Sequence, residues 1–466
     1  MGKPTITILN PINSLADKDA RKLIVKPLLY KSVVWQRDDY TGERTYTIKK
    51  SCLMTGWDGT SGKFLTGLIP RVKKYCRKKG HKIKIIDKSE KIKTSIEPNL
   101  KGITFRPDQK KALNIVSRRH RGKIVFPTGT GKTIIAAGIV SMFPKLRTLF
   151  LCHTKDLLYQ SAEEFNKYFK NVFILGGGNK VNWDHIYECK SPILISIDKS
   201  YYNNMDVNNS TFFDILIVDE VHHVNSVDSQ YGQIMGTNLA PRRYGLTATV
   251  PTEEKQILIN EGFFGPIIAE LGINEGIRLG IVAKPKMNII PVPYEVKVNK
   301  RAKGLFRNFY KYGIVKNRAR NKLIVNEVIN SINNDKTTLV IIERKEHGKL
   351  IQKMLKYRGF EIPFVFGDTK KEKRSEVLKG LISRKIKATI CTKIWKEGIN
   401  IPSLNHVINA VGLKEEKAVL QAIGRGTRVT DDKKVINVTD FLDPYKFLAE
   451  HSVLRMSIYI KKGWLK

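Results

Sequence analysis

Apolar residues arrive in short unbroken runs along most of this chain. IVF at 124–126, TLFLC at 148–152, ILISI at 193–197, ILIV at 215–218 and LVII at 339–342 are each followed by polar residues. Segments with apolar positions at helical spacing then follow, such as DLLYQSAEEFNKYF. Short continuous apolar runs read as strands buried on both faces, and strands alternating with helices predict parallel sheets. The alternation runs from about 147 to 260 and starts again at TTLVIIERKEHGKLIQKML. The first hundred residues are patterned differently. KSVVWQRDDYTGERTYTIKKSCLM alternates apolar and polar residues on both sides of a turn at Gly42, which predicts a hairpin. GKFLTGLIPRVKKYCRKKGHKIKIID predicts a helix interrupted near Pro70, ended by Gly80 and followed by a strand. Phe64, Leu68, Val72 and Cys76 would form its packing face. Residues 90–100 read as a linker. Residues 272–293, closed by Pro285, Pro291 and Pro293, read as a crossover between domains. The expected organisation is α/β, with a small α+β domain at 1–98, a first sheet domain at 99–285 and a second at 286–466. The C-terminal tail reads as a helix with a basic end and no chemistry.

Charge narrows the class of partner. Lys and Arg number 83 against 43 Asp and Glu, for a formal charge of +40 and a pI near 9.9. That excess is the footprint of a polyanion binder, nucleic acid first. Lys73, Lys74, Arg77 and Lys78 share the outer face of the expected N-terminal helix and are candidate nucleic-acid contacts. The segment from 299 to 326 is basic with interleaved aromatics, which suits base stacking. Leu305, Phe309, Tyr312 and Val315 equally fit one packing face of a helix. Five scattered cysteines with no C-x-x-C point to free thiols in a reducing cytosol, not to zinc or disulfides. The N-terminus lacks a signal-peptide pattern, Ile6 breaks the myristoylation pattern, and no run approaches about 18 apolar residues. A cytoplasmic protein, with no membrane partner and monomeric, is expected.

The candidate chemistry begins at PTGTGKT. Pro127, Thr128, Gly129, Thr130, Gly131, Lys132 and Thr133 form a glycine loop between a strand and a helix. Such a loop turns backbone N–H groups onto phosphates, with Lys132 on the β/γ-phosphates and the Thr133 hydroxyl on Mg²⁺. Phe126 stands where the strict pattern places glycine. Arg106 and Gln109 lie upstream, and Gln109 can both donate to and accept from an adenine edge. The run at 215–218 delivers Asp219, to hold Mg²⁺, and Glu220, to orient and deprotonate water. His222 could link that pair to neighbouring loops, whereas His223 is assigned a structural or solvated role. Thr247 and Thr249 offer hydroxyls to the same loop. Thr154, Lys155 and Lys199 fall at strand ends, where ligands bind in open α/β sheets. Gln421, Arg425 and Arg428 share one helical face, and two arginines there suit charge stabilisation on a γ-phosphoryl group.

In order, FRPDQ, PTGTGKT, HTKDLLYQ, ISIDKS, VDEVHH, LTATV, EGINIP and QAIGRGTR resemble the motifs of superfamily-two helicases of the Asp-Glu-x-His type, across 101 to about 430. The resemblance implies two tandem RecA-like P-loop domains that close on ATP and Mg²⁺, with nucleic acid across their tops. It assigns Lys132, Thr133, Asp219, Glu220, Gln421, Arg425 and Arg428 to the ATPase motifs and Arg106 and Gln109 to the adenine side. It assigns Thr154, Lys155, Lys199, Thr392 and Trp395 to motifs facing the nucleic-acid strand. The compact plan with a basic N-terminal domain, and YGIVKNRARN before the second domain, resemble UvsW-type and RecG-like branch-migration helicases of replication, recombination and repair. Asn400 departs from the Asp that relatives often carry. The implied partner is forked or junction DNA. A restriction-complex motor and an RNA helicase are the alternatives.

Overall fold

The computed structural model describes residues 3–37, 44–55, 62–89, 95–294, 305–392, 401–413 and 434–465. Contacts divide the chain into two compact units, Met1–Phe126 with Gly131–Leu271, and Gly272–Lys466 with Pro127–Thr130.

The first unit begins with β1 (Thr5–Ile8), β2 (Asn13–Ala16), α1 (Lys18–Ile24), β3 (Leu29–Arg37), β4 (Arg44–Cys52), β5 (Met54–Thr55), β6 (Gly62–Leu65), α2 (Ile69–Lys78) and β7 (Lys84–Asp87). The five-stranded sheet runs β5-β6-β2-β1-β7, and β3 pairs with β4 as an antiparallel ribbon. Its expected turn at Gly42 lies outside the described residues. The interrupted helix is corrected. Phe64 belongs to β6, a single 3₁₀ turn follows, and Pro70 opens α2. Proline suits the first turn of a helix, where its missing N–H costs nothing. Phe64, Leu68, Val72 and Cys76 are nevertheless all buried in one core.

The remainder of the unit is α3 (Pro107–Arg118), β8 (Arg121–Val125), α4 (Lys132–Ser141), β9 (Thr148–Cys152), α5 (Lys155–Asn166), β10 (Val172–Leu175), α6 (Trp183–Glu188), β11 (Ile193–Ile197), α7 (Asp198–Tyr202), α8 (Val207–Phe212), β12 (Ile215–Val218), α9 (Gln230–Thr237), β13 (Arg242–Thr247), α10 (Glu254–Phe264) and β14 (Ile267–Glu270). Seven strands pair in the order β10-β11-β9-β12-β13-β8-β14, all parallel. Every residue of β9, β12 and β13 is buried, as strands covered on both faces must be. The N-terminal region sits on α10. A Cβ at Gly67 would lie 2.1 Å from the Glu261 carbonyl, so only glycine permits that approach. Beside it Arg71 pairs with Glu261 at 2.5 Å. Leu258 of α10 joins the N-terminal core.

The second unit holds α11 (Ile273–Arg278), β15 (Lys284–Pro291), α12 (Leu305–Tyr310), α13 (Arg318–Asn333), β16 (Thr337–Ile341), α14 (Lys345–Tyr357), β17 (Phe364–Val365), α15 (Lys371–Ile382), β18 (Ala388–Cys391), β19 (Leu404–Asn409), β20 (Val435–Leu442) and α16 (Lys446–Lys461). Its six-stranded sheet, β15-β20-β19-β16-β18-β17, is also parallel. The segment expected as a crossover is in part the strand β15. An edge strand leaves one row of N–H groups unpaired, so it accepts Pro285 and Pro291. The tail also departs from expectation: its first part is β20, and it carries the buried pairs Arg455–Asp440 and Arg320–Asp443. Asn317 caps α13 and also bonds Gly313 and Tyr445. Among the described residues, no helix is long and apolar enough to cross a membrane.

Candidate active site

β8, β12 and β13 are neighbours in the sheet, so their C-terminal ends bring three separate sequence segments together. From β8 the chain enters the glycine loop, with Gly129 and Gly131 at φ of 81° and 84°. A Cβ at Gly131 would lie 2.8 Å from Gln109 Nε2. The loop therefore needs glycine both for its left-handed turn and for the side chain above it. Gln109 is fixed from the other end, because Arg106 N–H donates to its Oε1 at 3.1 Å. Arg106 is itself held by a forked pair to Asp108. The structure thus places the two predicted adenine-side residues against the phosphate loop.

Lys132 opens α4 and is buried, its Nζ donating to the Phe126 carbonyl at 3.5 Å and lying 3.6 Å from Glu220 Oε1. Asp219 ends the apolar run of β12 and is also buried. Burial, then the adjacent Glu220, raises its pKa above the usual carboxylate range, and Lys132 opposes both. Glu220 takes a left-handed backbone, φ 49°, ψ 50°, and its N–H donates to Asp219 Oδ1 at 2.9 Å. Non-glycine residues in this region are uncommon, and here the turn splays two consecutive carboxylates apart.

The chain then folds back on the end of β13. His222 Nδ1 lies 3.0 Å from Thr247 Oγ1 and 3.4 Å from Glu220 Oε2. Thr247 Oγ1 donates to the Thr249 carbonyl at 2.8 Å and accepts from the Thr249 N–H at 3.1 Å. Thr249 contributes its backbone to this link, not the hydroxyl expected from sequence. His223, expected to be structural or solvated, lies between His222 and His153, its ring tilted against both.

Three more strand ends line the same edge. Thr154, after β9, caps α5 through its side chain, which accepts from Leu157 N–H at 3.2 Å, and Lys155 is exposed. Lys199 lies in α7, after β11. After β10 comes a turn that sequence reasoning missed, Gly176–Gly178, closed by reciprocal bonds between Gly176 and Asn179. Three consecutive glycines behind an apolar run were the available signal. On α2, Lys73, Lys74, Arg77 and Lys78 are all exposed.

In the second unit, Thr392 follows β18, its N–H donating to the Val365 carbonyl. Phe309 and Tyr310 are buried, whereas Phe306 and Tyr312 are exposed. Phe306, Arg307, Tyr310, Lys311, Arg344 and Lys345 line a cavity of about 690 Å³. Trp395, Asn400, Gln421, Arg425 and Arg428 lie outside the described residues.

Two parallel sheets, with a glycine loop after β8 and a carboxylate pair after β12 on either side of β13 in the first, define a motor of two RecA-like domains joined to a small N-terminal sheet. Residues 102–252 match the family described as Type III restriction enzyme, res subunit, and 319–430 match the helicase conserved C-terminal domain. The chain is 27% identical over 367 residues to a protein named DNA 3'-5' translocase XPB2 from Sulfurisphaera tokodaii, covering 72% of this chain and 81% of that one. It is 26% identical over 402 residues to the ATP-dependent DNA helicase uvsW of Enterobacteria phage T4, covering 81% and 78%. A fragment of an HsdR subunit of a type I restriction enzyme from Vibrio vulnificus shares the fold, with a TM-score of 0.56 at 18% identity over 92% of this chain and 79% of that one. The two domain matches and these relatives support a superfamily-two helicase.

Proposed function

We propose that this chain is an ATP-driven DNA translocase or helicase that unwinds or branch-migrates forked and junction DNA. The observation that carries the ATPase part is the cluster of Lys132, Asp219, Glu220, His222 and Thr247 beside the Gly131 loop. Backbone N–H groups of the loop and Lys132 bind and orient the β/γ-phosphates. Gln109 reads the adenine edge, its amide NH₂ standing over the loop. Glu220 holds the attacking water and takes its proton. His222, itself held by Thr247, fixes the Glu220 carboxylate. The donor set suits Mg²⁺: Asp219 and the Thr133 hydroxyl are hard oxygen ligands, and the buried Asp219 carboxylate gains most from a cation. Mg²⁺, when bound, neutralises charge on the phosphates. Gln421, Arg425 and Arg428 are assigned to γ-phosphoryl stabilisation by their motif.

The DNA part is supported by the net charge of +40 and by the relatives named as DNA translocase and DNA helicase. Thr154, Lys155 and Lys199 are assigned to the strand, as are Thr392 and Trp395. The exposed row Lys73, Lys74, Arg77 and Lys78 is assigned to the branched substrate. The test is ATP turnover with single-stranded, duplex, forked and four-way DNA and with RNA. Forked or four-way DNA is expected to stimulate most, and reversing the four α2 charges to weaken that preference. Stimulation by linear single strands alone overturns the branched-DNA reading, and stimulation by RNA alone overturns the DNA reading. The match to the restriction-subunit family favours a second reading, a motor within a restriction complex. Purification as a stable heteromer would support it over the first.

A further inference from the structure

Three imidazoles are neighbours at the C-terminal edge of the first sheet. The rings of His222 and His223 have centroids 4.3 Å apart at 34°. Those of His223 and His153 are 4.1 Å apart at 35°. The contacts pass from one strand end to the next, because His222 and His223 follow β12 and His153 follows β9. These strands are paired, and Asp219 N–H donates to the Leu151 carbonyl at their tips.

Both ends of the stack touch groups already given roles. His222 is bonded to Thr247 and lies 3.4 Å from Glu220. His153 directly precedes Thr154 and Lys155. A third strand end joins from the side. Asp198, which precedes Lys199, lies within electrostatic reach of both His153 and His223, which oppose the effect of burial on its carboxyl.

We propose that His223 is a positioning residue that carries nucleic-acid occupancy at Thr154, Lys155 and Lys199 to Glu220 through the stack of His153, His223 and His222. The inference rests on the ATPase reading above. Rings this close are in van der Waals contact, so a ring pushed toward its neighbour displaces it. A strand-end loop shifted by a bound phosphate backbone therefore moves His153, and the displacement reaches the residue that fixes Glu220. Coupling of this kind needs an element with two arrangements. We assign that role to the turn from Glu220 to Val224, a single 3₁₀ turn entered through a left-handed residue.

The test measures turnover of the full chain with and without a poly(dT) oligonucleotide. It compares wild type, His223→Ala, His153→Ala, the double variant and His223→Phe. Each single alanine is expected to lower the ratio of stimulated to unstimulated turnover about tenfold, and the double variant no further. His223→Phe keeps a ring in the stack and should retain roughly half the ratio or more. An unchanged ratio in His223→Ala overturns the proposal. So do equal losses of stimulated and unstimulated turnover, alanine effects that multiply, or a phenylalanine variant no better than alanine. If His223→Ala fails to fold, His153→Ala and His223→Phe still decide the matter. A wild-type ATPase that no nucleic acid stimulates overturns the proposed function itself.

Discussion

Lys132 and Glu220 form an ion pair of 3.6 Å, between the helix that follows the phosphate loop and the turn that follows β12. The cation assigned to the phosphates and the carboxylate assigned to water thus hold one another. On the proposed roles, a bound triphosphate would compete with Glu220 for Lys132 and so release the base.

Glu220→Gln should therefore separate binding from turnover. Hydrolysis is expected to fall by about 10²–10⁴, while nucleotide affinity is kept or rises because Lys132 loses its competitor. Lys132→Ala should lose both. Steady-state hydrolysis with binding of a fluorescent nucleotide distinguishes the two. A Glu220→Gln variant that turns over normally, or that no longer binds, contradicts these roles.

Arg320 and Asp443 form an ion pair of the second unit that is fully inaccessible and 2.7 Å apart. Arg320 also donates to the Ala410 carbonyl at 3.1 Å. Burial pushes the Asp443 carboxyl up in pKa, against Arg320 and Arg455. Arg320→Ala leaves that carboxylate buried without its main partner and should cost about 3–5 kcal/mol. Arg320→Met with Asp443→Leu should recover part of the loss. Urea unfolding measures both, and a double variant weaker than the single one would refute the account.

Two buried histidines set an acid limit. His347 bonds Asn321, and burial together with Arg320 lowers its pKa to about 3. His406 bonds Ser331 and Thr439, and burial lowers its pKa to about 4. The unfolded value is about 6.5, so the unfolded chain binds protons first as pH falls. Their contribution is complete above pH 6.5 and is lost from there down to about pH 4 and 3, at roughly 1.4 kcal/mol per pH unit for each. His406→Asn should reduce the slope of stability against pH over that window by about one proton. An unchanged slope would show that His406 is protonated in the folded chain.

The sheets were legible from their apolar strands, since a run such as ILIV of β12 allows little else; β13, which carries Arg242 and Arg243, gave a weaker signal. The phosphate loop and the Asp219–Glu220 pair were legible because each is contiguous. The N-terminal helix was misread at Pro70, where proline marks a start as readily as a break. β15 was misread because its prolines are acceptable only at an edge, and edge position is a property of the assembled sheet. The His153–His223 stack was invisible, since it joins residues seventy positions apart through the neighbouring of β9 and β12. The asparagines and arginine of KNRARN were noted as a likeness, but their work is internal: Asn317 caps, Arg320 pairs and Asn321 bonds both the Val315 carbonyl and His347.

The seating of the N-terminal region on α10 decides how its contribution can be tested. Gly67, Leu65 and Arg71 cover Gly262, Glu261 and Leu258 of the motor sheet's own helix. Behind them Lys123 lies buried in β8, its pKa lowered to about 8 by burial and by Arg71, with Glu261 opposing. Deleting the first domain strips that cover, exposes apolar surface and leaves Glu261 without Arg71. A truncated chain that hydrolyses ATP poorly therefore reports damage to the motor as much as loss of a DNA contact. Exchanging Lys73, Lys74, Arg77 and Lys78 on the outer face of α2 leaves the seam intact and isolates recognition from folding.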